Sequence, residues 1–160
     1  MTSDQVVREE LLALLYRGNA HMNFEQAVAD FPAEHFNTKP ANVTYTPWHI
    51  LEHIRIAQWD ILEFIRNSEH ISPQWPSGYW PHPAEAADKV QWDKTISLFL
   101  SNLQTLRDMV ADPDIDLYAP IAHAADYTIF REILVVTDHN AYHLGEFAIL
   151  RQIMSTWEKT

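Results

Sequence analysis

The chain has 160 residues, 47% of them hydrophobic, and a formal charge of -11 from 22 acidic against 11 basic side chains. That length and apolar content suit one globular domain over 1–160 with a single core. The acidic balance repels a phosphate backbone and argues against nucleic acid as a partner. There is no cysteine, which excludes disulfides, a thiolate nucleophile and sulfur-ligated zinc, and leaves histidine and carboxylate as metal ligands. The start, MTSDQVVREELL, lacks a basic region followed by an apolar stretch, so no signal peptide is expected. No run approaches the roughly 18 apolar residues of a membrane span; no membrane partner and a cytoplasmic location are expected. Gly18, Gly78 and Gly145 are the only glycines, so glycine-rich phosphate loops and a Gly-x-Ser-x-Gly elbow are absent.

In chain order, the three- and four-residue spacing of Val7, Leu11, Leu14, Leu15, Met22, Ala27 and Val28 predicts a first helix over 4–31, with Gly18 loosening its middle. His21 lies in its second half. Pro32 closes it, and 32–45 is a connector. Thr46 and Pro47 are a cap and first position for a second helix. On that helix Ile50, Ile54, Ala57, Ile61 and Phe64 form the apolar arc, with His53 inside it and His49 at its edge. Trp48, Arg55, Trp59 and Arg66 fall on the far side, where the two tryptophans are expected to meet another subunit or a connector. Asp60 reads as surface. Residues 67–83 hold four prolines, which no regular element survives; Trp75, Tyr79 and Trp80 make this crossover a candidate roof for a pocket.

A third helix is predicted from Ala84 to Ala111, with Val90, Ile96, Phe99, Leu100, Leu103 and Leu106 inward. A connector of about 15 residues follows, and a fourth helix runs from Tyr127 to Trp157. His139 and His143 share its inward side with Ile129, Val136, Phe147, Leu150 and Met154. Arg131 and Arg151 read as surface pairs. Four long helices, no strand-like alternation and no repeat predict an all-α four-helix bundle with long crossover connections.

Histidines at i and i+4 lie one above the other, close enough to share one ion. An inward histidine from the second helix would make three converging imidazoles, as in many catalytic zinc sites; nickel, copper and iron also suit imidazole. An inward histidine without a partner would cost about a kcal/mol or more. No glutamate has a histidine three positions later, which removes a ferritin-like di-iron site, and no His-Glu-x-x-His is present.

TPWHILEHIRIAQWDIL, followed much later by LVVTDHNAYHLGEFAILRQ, resembles the DinB/YfiT-like superfamily of four-helix bundles with a three-histidine metal site. The resemblance covers nearly the whole chain in order and length. It implies His53, His139 and His143 as ligands, and leaves His49 outside them. It also implies an up-down-down-up course, frequent homodimers and a divalent ion, zinc or nickel first, with iron or manganese as further candidates. Glu146 stands where a glutamine is common. Some relatives are thiol-dependent S-transferases or isomerases.

Around this site, His21 and His49 are candidates to line the pocket, and Glu132 and Glu146 to orient the imidazoles. The enzymatic reading is a thiol transferase or hydrolase whose nucleophile comes from solvent or from a second, thiol or electrophilic, substrate. The other reading is a non-catalytic dimeric bundle with a structural or vestigial metal, a stress-related role being implied by relatives alone.

Overall fold

A computed structural model describes residues 1–157. In order, the regular elements are α1 (Ser3–Arg17), α2 (Phe24–Val28), α3 (Pro47–Arg66), α4 (Lys89–Ala111), the hairpin strands β1 (Pro120–Ile121) and β2 (Ala124–Thr128), and α5 (Ile129–Ile153). Helix α3 packs against α4 and α5, and α1 against the same two. Ile50, Leu51, Ile54, Leu62, Leu106, Leu117, Ile133, Val136 and Phe147 are buried in one continuous core. No described helix is long and apolar enough to cross a membrane.

The helix expected over 4–31 is two helices. Gly18 takes a left-handed φ of 66° as the cap of α1 and donates to Leu14 O, the usual helix stop for a residue without a Cβ. A Cβ there would lie 2.6 Å from His21 Cε1, so the turn is closed on both counts. Asn23 then starts α2 with its own capping box. Helix α4 begins at Lys89 rather than at 84, because Asp88 supplies the cap to Gln91 N; Val90, expected inward, is exposed in that first turn. The third connector, expected to be irregular, contains the β1–β2 hairpin, with Pro120 opposite Thr128 and Ile121 opposite Ala124.

Two further expectations are corrected by packing. Trp48 is not on an outer face: it is buried, and its indole N–H donates to Thr95 Oγ1 of α4 at 3.3 Å. Trp59 is half-buried and meets the crossover, edge to face with His70 at 5.2 Å. Arg151 is not a surface pair but is 1% exposed, donating to the carbonyls of Ala27, Ala29 and Thr156. Arg8 and Arg107 do likewise, on Val110 and Asp112 at the end of α4 and on Leu15 near the end of α1. In each case a guanidinium satisfies the open carbonyls at a helix C-terminus, where positive charge is also favoured by the helix dipole. Arg131 pairs with Glu132 as a partly exposed bridge.

Candidate metal centre

The site is assembled by two well-started helices. Thr46 caps α3 through a reciprocal box with His49, and Pro47 occupies the first turn; this places His53 two turns in, on the face toward α5. Thr128 caps α5 and sets His139 and His143 one turn apart on the face toward α3. Their ring centroids are 4.5 Å apart. The Nε2 atom of His53 lies 3.0 Å from His143 Nε2 and 3.2 Å from His139 Nε2. Nitrogens bound at about 2.0–2.1 Å around one tetrahedral ion sit about 3.3 Å apart, so the three imidazoles are spaced for a single ion. His53, His139 and His143 form a group that could hold a metal.

The outer nitrogens decide what these contacts are. His53 Nδ1–H donates to the Tyr79 carbonyl at 2.8 Å, and a carbonyl can only accept. His143 Nδ1–H donates to Glu146 Oε2 at 2.6 Å. With both rings neutral, each carries its proton on Nδ1, and two Nε2 lone pairs face each other at 3.0 Å. In that state the contact is repulsive, and a cation between the nitrogens makes it favourable. His139 Nδ1 is buried and has no hydrogen-bond partner among the described residues. The donor set fits a divalent transition ion: three imidazole nitrogens, two of them on rings with acceptors behind them that raise ligand basicity.

Burial favours the neutral form of two of the three rings. It lowers the His139 pKa to about 4, helped by His143 and His53 nearby, and it lowers His53 as well, against the opposing pull of the Tyr79 hydrogen bond. Trp80 lies flat on His53, with centroids 3.9 Å apart and planes within 4°. Burial first, and the charge of the Glu146 carboxylate second, push the Tyr45 phenol pKa up.

The remaining candidates separate. Glu146 is in place behind His143. Glu132 is buried away from the trio, paired to Arg131 and beside Asp60 and Tyr127. His49 is built into the fold, with Nε2–H donating to Glu85 O at 2.8 Å and Nδ1 accepting from Thr46 N. His21 is exposed in the turn between α1 and α2, where it donates to Met22 O and edges a separate cavity of about 400 Å³ with Asp138 and Asn140. Sequence reasoning missed Tyr45, and it named Tyr79 and Trp80 only as a roof. The Tyr79 contact is made by a backbone atom, which has no sequence signature.

Comparison with curated proteins and comparison with solved structures each return no match. A family model described as the DinB superfamily matches residues 18–147, a span that holds all three histidines and Glu146. The match covers well over half of the chain, so the protein belongs to the DinB superfamily.

Proposed function

We propose that His53, His139 and His143 hold one divalent ion, zinc or nickel first and iron or manganese next, and that the chain is a metal-dependent enzyme of the thiol-transferase or hydrolase type. The observation that carries this is the pair of facing Nε2 atoms on His53 and His143, 3.0 Å apart, whose outer nitrogens are both committed elsewhere. A bound ion supplies Lewis acidity that brings the pKa of a water or thiol toward neutrality. The chain's own residues keep that acidity high. All three contacting groups are imidazoles, and Glu146 is engaged by His143 rather than aimed at the centre. With no cysteine in the chain, the nucleophile is a solvent molecule or a small thiol, acting on an electrophilic substrate.

Elemental analysis of untagged protein tests the metal: one equivalent of transition metal in the wild type and none in His53→Ala is expected, and a metal-free wild type refutes it. For catalysis, thiol-transfer activity that survives in metal-stripped His143→Ala protein refutes the enzymatic reading.

The depth of His53, 2% exposed beneath Trp80, favours a second reading in which the ion is a structural staple. Metal would then raise the melting temperature while no thiol or electrophile bound. We also propose the family's up-down-down-up course, supported by α1 and α3 each lying against α4 and α5. A homodimer is proposed on α5, whose exposed Val135, Tyr142, Ile149 and Ile153 follow one stripe of the helix. Ile149→Asp should turn it monomeric in sedimentation; an unchanged dimer removes that face.

A further inference from the structure

Asp60 is a carboxylate 8% exposed, on α3 two turns beyond His53, and it has no part in the proposed metal chemistry. Its Oδ1 accepts from His70 Nε2 at 2.7 Å and its Oδ2 from the Tyr79 hydroxyl at 2.6 Å. Both donors belong to the crossover between α3 and α4, so one carboxylate ties that strap to the helix at two points. Burial, and next the hydrogen bond to Asp60, push the Tyr79 phenol up to about 12, which keeps it protonated and donating.

The same residue reaches the imidazole cluster from its other side. The Tyr79 carbonyl accepts the His53 Nδ1 proton at 2.8 Å, and the next residue, Trp80, stacks on the ring. The turn between is tightly wound: Gly78 N donates to Gln74 O at 2.7 Å, and a Cβ on Gly78 would come within 2.8 Å of Pro73 Cβ. Trp80 and the carbonyl have different effects. Stacking sets the plane of the His53 ring but is indifferent to which nitrogen carries the proton. Only the carbonyl forces the proton onto Nδ1 and turns the Nε2 lone pair toward His139 and His143.

We propose that Asp60 and Tyr79 are positioning residues for this centre: Asp60 holds the Tyr79 side chain, and the carbonyl of the same residue thereby sets the tautomer of His53. The proposal rests on the metal reading above. An orienting hydrogen bond behind a ligating histidine is typically worth about 10- to 100-fold in metal affinity. Loosening it one step removed should read near the lower end, roughly tenfold.

Tyr79→Phe removes the hydroxyl and keeps the ring. Trp75→Phe, in the same strap but 72% exposed, is the control. Two quantities are measured: zinc affinity by competition with a chromogenic chelator, and exchange of the His53 Nδ1 proton by NMR on nitrogen-15-labelled, metal-free protein. Roughly tenfold weaker zinc binding with faster exchange in Tyr79→Phe, and neither in Trp75→Phe, is expected. Wild-type zinc affinity or wild-type exchange in Tyr79→Phe overturns the proposal. A wild-type chain that takes up no zinc defeats the metal reading instead, and the exchange rate alone then decides the role of Tyr79.

Discussion

Glu146 gives the sharpest quantitative test of the centre. Its carboxylate accepts the His143 Nδ1 proton at 2.6 Å, with the Glu146 side chain 30% exposed. A hydrogen bond to a charged group contributes about 1.5–3 kcal/mol, and partial exposure places this one near the lower figure. At about 1.4 kcal/mol per decade, Glu146→Ala should weaken zinc binding roughly tenfold. Glu146→Gln keeps an acceptor at the same reach but drops the charge. Neutral hydrogen bonds are about half as strong, so the glutamine variant should lose only about threefold. Competition with a chromogenic chelator at fixed pH and low salt resolves the two. If the alanine variant stays within about twofold of the wild type, the carboxylate does not orient His143. If glutamine is as damaging as alanine, charge rather than the hydrogen bond is what matters, and the tautomer argument for His143 fails.

Further outcomes follow from other contacts. Arg151→Met strands three carbonyl contacts, two of them buried, at the end of α2 and near the end of the described chain; a loss of about 3–5 kcal/mol in urea unfolding is expected, and a loss below about 1 kcal/mol would refute the capping role. Gly18→Ala places a side chain at φ 66° and against His21, and should cost about 1–3 kcal/mol with α3 and α5 unaffected. An unchanged melting temperature would contradict the strained turn. Metal-free protein should lose stability as pH falls from about 6.5, the unfolded histidine value, toward the His139 value of about 4. The folded pKa is the lower of the two, so the unfolded state binds more protons in that window. The loss is about 2 kcal/mol by pH 5, and a flat profile in thermal melts would overturn the half-buried, neutral His139.

The sequence carried the helices that matter most for function. Thr46-Pro47 and the i, i+4 histidines mark α3 and α5 by local chemistry, and the wheel positions of His53, His139 and His143 depend only on helical period. Errors fell where tertiary context decides. Gly18 was legible as a weak point but not as a full stop, because closure of the turn depends on His21 folding back. Arg151 looked like a surface charge because nothing in a helical pattern reveals open carbonyls on a neighbouring helix. Trp48 looked wet because α4, which covers it through Thr95, is more than forty residues away in sequence. Asp60 looked like surface for the same reason: its partners lie in a proline-rich strap whose path no periodicity describes. Glu132 and Glu146 lie on nearly the same face of one helix, and the pairing of Glu132 with Arg131 and of Glu146 with His143 tells them apart.

The flat contact between Trp80 and His53, 3.9 Å between centroids, makes the indole an optical witness to the centre. An open-shell ion such as nickel or copper, held by that imidazole, lies close enough to drain the excited state of Trp80, whereas zinc, with its filled d shell, leaves the emission bright. The other tryptophans, among them Trp48 on Thr95, Trp59 at His70 and Trp92 against Phe36, sit on different partners and supply a steady background. The identity of an ion held there would therefore be written into the protein's own fluorescence, without any added dye.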